Sequence, residues 1–187
     1  MNKVLLFNPR SANTKPRIPN SILSIAAAIE GLYGYVIVDG NQETDPWQKI
    51  NSYLATGEYG YFGCTCMPGP QLRQAIPFSK QIRTLYPAVK IIWGGYFPSN
   101  QPKVVLQSGF VDVIVNGPGE KCFPALLQAL NNGQSFNTIP NLIYRCATVT
   151  QASETNCGTP GQNALRCATV TQPSGTNCGT PDSGDSI

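Results

Sequence analysis

Short apolar runs alternate along this chain with longer stretches in which apolar residues recur three or four positions apart. Residues 3–7 form the first run, and residues 21–33 follow with Ile22, Ile25, Ala26 and Ile29 at helical spacing. A second run at 35–38 leads through Asp39-Gly40-Asn41 into 46–55, where Pro46 suits the first helical turn because its missing amide hydrogen would be unbonded there anyway. Further strands are expected at 59–64, 89–93 and 111–115, with helices at 72–85 and about 120–130. Pro77 should kink the third helix or end its first part, since it removes a backbone donor and crowds the preceding turn. Residues 142–144 offer a further edge strand.

Five strands alternating with helices predict an α/β fold, a parallel sheet covered by helices on both faces. Ligands of such folds lie beyond the carboxyl ends of the strands, so the turns that follow each strand hold the candidate site. Those turns are Asn8-Pro9-Arg10, Asp39-Gly40-Asn41, Cys64-Thr65-Cys66-Met67, Gly94-Gly95-Tyr96-Phe97-Pro98-Ser99 and Asn116-Gly117-Pro118-Gly119-Glu120. Gly94, Gly95, Gly117 and Gly119 remove side chains where a flat or extended ligand could lie against main chain. Any one of them is equally explained by a tight turn; their coincidence on one rim is what points to a ligand.

Composition narrows the chemistry. A chain of 187 residues, 41% hydrophobic and 12% charged, can build one packed domain with something extra, and no stretch is long and apolar enough for a membrane span. There is no histidine, which excludes Ser-His-Asp and Cys-His catalytic units and any histidine ligand to zinc, haem or cobalt. The 13 lysines and arginines are scattered against 10 acidic residues, so neither nucleic acid nor an anionic membrane is an expected partner, and a small molecule is. The opening apolar run is too short for a secretory leader, which makes the cytoplasm the expected compartment.

A boundary is expected near Arg145. Beyond it, residues 146–187 are mostly Thr, Ser, Gly, Asn, Pro and Cys, and Arg145-Cys-Ala-Thr-Val-Thr-Gln151 returns as Arg166-Cys-Ala-Thr-Val-Thr-Gln172. Thr155-Asn-Cys-Gly-Thr-Pro160 returns likewise as Thr176-Asn-Cys-Gly-Thr-Pro181. Two copies are too few for a solenoid, and so few large apolar side chains cannot offset the entropy of ordering the segment. The expected organisation is a domain at 1–145 and a disordered repeat tail at 146–187, whose four cysteines match no close-paired zinc pattern.

Four segments carry a family resemblance: the first strand into Asn8-Pro9-Arg10, Pro19-Asn20-Ser21-Ile22-Leu23-Ser24-Ile25-Ala26, Trp93-Gly94-Gly95-Tyr96-Phe97-Pro98-Ser99, and Val111 through Asn116-Gly117-Pro118-Gly119-Glu120. Residues 1–145 thereby resemble the N-terminal cobalamin (B12)-binding domain of B12-dependent radical S-adenosylmethionine enzymes, methyltransferases and a ring-forming cyclase among them. The resemblance implies a flavodoxin-like, Rossmann-like five-stranded sheet in the order 2-1-3-4-5, with the corrin over the strand ends and the nucleotide tail in a groove beside the sheet. The cofactor contacts it implies are Asn8, Pro9, Arg10, Cys64, Thr65, Gly94, Gly95, Tyr96, Pro98, Gly117, Gly119 and Glu120, mostly through main chain.

Two departures qualify what the resemblance implies. Methionine-synthase-type domains carry Asp-x-His-x-x-Gly after the first strand, and this chain has no histidine there, which leaves Asn8, Arg10 or water near the lower face of the cobalt. The family's catalytic half carries Cys-x-x-x-Cys-x-x-Cys for an iron-sulfur cluster, and no such spacing occurs here; Cys64 and Cys66 are expected to split between core and turn. The implied chain is a cofactor-binding fragment or stand-alone module, not catalytic alone, whose partner would be a radical S-adenosylmethionine catalytic domain or subunit in trans. Glu120 is read either as a charge favoured at a helix start or as a cofactor contact. The competing readings are a flavin- or nucleotide-binding enzyme domain, disfavoured because residues 8–14 contain no glycine, and a degenerate interaction domain with packed loops at 8–18, 64–68 and 94–99.

Overall fold

A computed structural model describes residues 2–11 and 18–145. The expected tail, with its repeats and four cysteines, lies outside the described residues. The strands are β1 (Lys3–Asn8), β2 (Tyr35–Asp39), β3 (Tyr59–Thr65), β4 (Lys90–Gly94), β5 (Val113–Val115) and β6 (Leu142–Tyr144). They form one sheet in the order β2-β1-β3-β4-β5-β6, in which β1 to β5 are parallel and β6 runs antiparallel to β5. The 2-1-3-4-5 order is therefore present, with the possible edge strand added as a sixth.

Alternation along the strands sorts the core into two layers. Leu5, Phe7, Phe62, Ile91, Trp93 and Ile114 face one way and pack on α2 (Pro46–Leu54), α3 (Leu72–Leu85) and α5 (Pro102–Gln107). Val4, Leu6, Tyr61, Ile92, Val113 and Val115 face the other way, onto α1 (Asn20–Ile29) and α6 (Cys122–Asn131). The helical spacing read in the sequence is the buried stripe of α1, where Ile22, Ala26 and Ile29 are the buried residues. Asp45 starts α2 by accepting the Gln48 amide at 3.0 Å, ahead of Pro46.

Two local expectations change. Helix α3 runs unbroken through Pro77, which has no amide hydrogen to offer the Arg73 carbonyl one turn earlier. The segment after β4, read as a turn, instead winds into α4 (Tyr96–Asn100), followed by α5. Gly95 makes that possible: it caps α4 at φ +93°, and a Cβ there would lie 3.0 Å from both the amide nitrogen and the carbonyl oxygen of Cys66. Among the described residues no helix is long and apolar enough to cross a membrane.

A polar clamp ties α3 to β4 and to the segment that leads into β5. Asp112 Oδ2 accepts from the Arg83 guanidinium on α3 and from the Ile91 amide at 2.8 Å. Arg83 also donates to the Phe110 carbonyl at 3.2 Å. Within the same layer, the indole of Trp93 donates to Ser79 at 3.0 Å, so the largest buried side chain has its one donor bonded.

Candidate functional site

The carboxyl ends of β1, β3, β4 and β5 form a rim above the layer that holds α1 and α6. There the alternation that elsewhere supplies apolar side chains supplies glycine: Gly63 pairs with Leu6 and Ile92, and Gly94 pairs with Thr65. The missing side chains open a hollow of about 180 Å³ between the sheet and the two helices. Its floor is Leu6, Gly63, Ile92, Gly94 and Val115, and its walls are Ile22 and Ile25 on one side and Phe123 on the other. That volume suits one compact aromatic ring system, since cavities of roughly 150 Å³ lined by aliphatic side chains take up benzene.

Two glycines keep the hollow open by necessity. A Cβ on Gly63 would sit 2.9 Å from Leu6 Cδ2, and one on Gly119 would sit 2.7 Å from Ile25 Cδ1 and 3.2 Å from Val115 Cγ1. The lip is polar: the Ser21 and Thr65 hydroxyls lie 3.3 Å apart, and Glu120 stands exposed beside Gly119. Glu120 precedes α6 rather than lying in its first turn, because the helix begins at Cys122 with the Phe123 amide bonded to the Gly119 carbonyl at 2.8 Å.

A second hollow, about 420 Å³, opens over the end of β1. Asn8 and Gln71 lie at its base, Ile18 and Met67 on its sides, and Ser21 belongs to both hollows, so the two join over the Ser21–Thr65 pair. The hollow lies among residues 8–11, 18–21 and 67–71; of the loops named at 8–18, 64–68 and 94–99, residues 12–17 lie outside the described residues. Ile18 and Met67 are 74% and 50% exposed, large apolar surface that water would leave uncovered only at a cost unless something flat lies on it.

The polar groups at the base are already engaged. Asn8 donates to Asp39 at 2.8 Å and accepts from Gln71 at 3.3 Å, while Gln71 also donates to the Pro9 carbonyl at 3.0 Å and accepts the Met67 amide at 2.7 Å. Arg10 is held below, its guanidinium donating to the Gly40 carbonyl at 2.7 Å and the Glu43 carbonyl at 2.8 Å. Of the two side chains considered near the lower face, Arg10 is a clasp on the loop after β2, and Asn8 is a pinned amide whose oxygen and nitrogen both have partners.

Of the expected contacts, Cys64, Thr65, Gly94, Gly95, Gly117, Gly119 and Glu120 line the first hollow and Asn8 the second. Pro9, Arg10, Tyr96 and Pro98 line neither; Tyr96 opens α4 with 61% exposure and Pro98 is buried within that helix. Cys64 meets the hollow from the sheet, but its side chain lies in the opposite layer. There its thiol is 3.6 Å from that of Cys66, both buried in one core cluster, so the expected division between core and turn does not occur. Burial, reinforced by Cys66, holds the Cys64 thiol well above its ordinary pKa. The wall residues Ser21, Ile22 and Ile25, and the floor residue Gly63, were absent from the expected set. Among the described residues no group of three or more Cys, Asp and Glu could hold a metal ion.

The family model described as B12 binding domain matches residues 17–127, more than half of the chain. The radical S-adenosylmethionine methyltransferase TsrM from Kitasatospora setae, solved with cobalamin and a [4Fe-4S] cluster bound, has a similar fold with a TM-score of 0.67 and 24% identity, covering 77% of this chain and 29% of that one. The cobalamin-dependent S-adenosylmethionine radical enzyme OxsB, solved with aqua-cobalamin, gives a TM-score of 0.68 and 18% identity over 77% of this chain and 21% of that one. The chain thus spans less than a third of either protein, and at these identities the likeness is one of fold. No curated protein matches it.

Proposed function

This chain belongs to the B12-binding domain family, and from that premise we propose that it is a cobalamin-binding module that holds and orients the cofactor for chemistry done elsewhere. The observation that carries the reading is the pair of joined hollows over glycine-bearing strand ends: an aromatic-sized apolar slot beside the sheet and a broad open one over β1. The slot between α1 and α6 suits the nucleotide tail, and the hollow flanked by Ile18 and Met67 suits the corrin face. The slot's walls are apolar, and Gly63 and Gly119 leave a cradle that a single Cβ would fill, so the residues present fit the group.

Cobalamin would supply alkyl transfer or radical chemistry at its cobalt; the chain supplies position. Ile22, Ile25 and Phe123 exclude water from the tail slot, and the Ser21–Thr65 hydroxyls mark where the slot passes into the broad hollow. With no histidine in the chain and the Asn8 amide bonded on both sides, neither an imidazole nor Asn8 serves as the lower ligand. Holding is therefore a matter of shape and burial.

These 187 residues contain no Cys-x-x-x-Cys-x-x-Cys, and a radical S-adenosylmethionine catalytic domain or subunit that works on the held cofactor, in the cytoplasm, completes the proposal. The test is to incubate the purified chain with hydroxocobalamin, desalt it and record the visible spectrum of the protein fraction. Stoichiometric retained colour with a base-off band shape supports the reading. A folded sample that retains none refutes it.

A further inference from the structure

We infer that the slot between α1 and α6 selects cobamides with an apolar benzimidazole lower base over those with a purine base. The inference rests on the cobalamin reading above and goes beyond it by naming which member of the cofactor class the chain takes.

The first ground is what the slot presents. Its deep surface is Leu6, Ile92 and Val115 below, with Ile22, Ile25 and Phe123 at the sides, and none of these offers a donor or an acceptor. The second is that three main-chain groups around it are already bonded. The Gly94 carbonyl accepts the Cys66 amide at 2.8 Å, the Gly119 carbonyl accepts the Phe123 amide at 2.8 Å, and the Gly117 amide donates to Ser99 Oγ at 3.1 Å. A purine placed here would find no side-chain acceptor along the deep surface for its exocyclic amine, because the acceptors of the lining, Glu120 and the Ser21 and Thr65 hydroxyl oxygens, stand at the lip.

The third ground is the lip. Ser21 and Thr65 are linked by one hydrogen bond, and two hydroxyls so linked retain a single free hydrogen between them. Dimethylbenzimidazole, attached through one ring nitrogen and displaced from cobalt, has one remaining ring acceptor and two methyl groups. Adenine has three ring acceptors and an amine with two donors. One spare hydrogen therefore matches the benzimidazole's one acceptor and leaves two of adenine's three ring acceptors without a donor from this pair, and each unpaired group in an apolar enclosure weakens binding.

The expected discrimination is about ten- to a hundredfold, the range an apolar pocket achieves against a ligand that differs by added polar groups. The experiment titrates the full chain with aquo forms of cobalamin, adeninylcobamide and cobinamide, following the visible bands to obtain three dissociation constants. Cobinamide has no nucleotide tail and reports the corrin contacts alone. The inference predicts cobalamin tightest, adeninylcobamide at least tenfold weaker, and cobinamide weaker than cobalamin. Equal affinity for cobalamin and adeninylcobamide would overturn the selectivity while leaving the module reading intact. Cobinamide binding as tightly as cobalamin would also overturn it, by showing that the slot is not used. A folded chain that binds none of the three would instead remove the cobalamin reading itself.

Discussion

Replacing Gly119 by alanine tests the slot with one methyl group. The new Cβ would fall 2.7 Å from Ile25 Cδ1 and 3.2 Å from Val115 Cγ1, whereas carbon atoms in ordinary contact stand roughly 3.5 to 4.0 Å apart. Val115 is a buried floor residue, so the adjustment falls on Ile25, which is partly exposed and whose outer carbon can turn into the slot. Gly119 is not in the left-handed region, so alanine meets no backbone penalty and the free protein should lose less than about 1 kcal/mol, a shift of roughly 2–4 °C in thermal midpoint at most. The ligand meets the narrowed slot directly: overpacking of about 1–3 kcal/mol corresponds to a dissociation constant roughly 5- to 150-fold higher. Titration of Gly119→Ala with hydroxocobalamin and with cobinamide separates the effects, since only the tailed cofactor should weaken. Unchanged cobalamin binding, or equal weakening of both ligands, would refute the reasoning.

Two further predictions concern the scaffold. Asp112→Ala leaves the buried Ile91 amide without its acceptor and should cost about 1–3 kcal/mol, whereas Asp112→Asn keeps an acceptor, loses the partly exposed ion pair to Arg83, and should cost roughly 0.5–1 kcal/mol. Urea unfolding of both variants checks this, and equal losses would show that the ion pair rather than the amide dominates. The raised Cys64 thiol fixes a pH dependence: the folded chain keeps a proton that the unfolded chain releases above the ordinary thiol value of 9.0, so this stability is full below about pH 9 and falls as pH rises further. Cys122 and Tyr61, raised by burial, act in the same direction. The urea midpoint should drop between pH 8 and pH 10 and drop less in Cys64→Ala; identical slopes for the two proteins would count against the account.

Apolar runs made the strands legible in the sequence because a buried parallel strand needs little else, and the turns after them followed from chain order. Helices α4 and α5 were not legible, since pieces of 5 and 6 residues carry no periodicity. The glycines of the rim could be read because they stand in turns. Gly63, inside β3, could not: its meaning depends on Leu6 and Phe123, which reach it only through the sheet and α6. The α1 wall was hidden for a related reason, because Ile22 and Ile25 carry the same spacing whether they face core or ligand. Arg10 lines neither hollow, and a cation in a loop after a strand reads as a ligand contact until its carbonyl partners, 30 and 33 residues away, are known.

The direction of β6 has a practical consequence. Since Leu142 pairs with Val115 and Tyr144 with Val113, the strand descends away from the rim, and Arg145 reaches toward the Gly109 carbonyl ahead of β5. Lys3 begins β1 at that same base. Anything grafted at either position, whether a surface anchor, a fluorophore or a second polypeptide, therefore hangs beneath the sheet and leaves the mouth of both hollows facing outward.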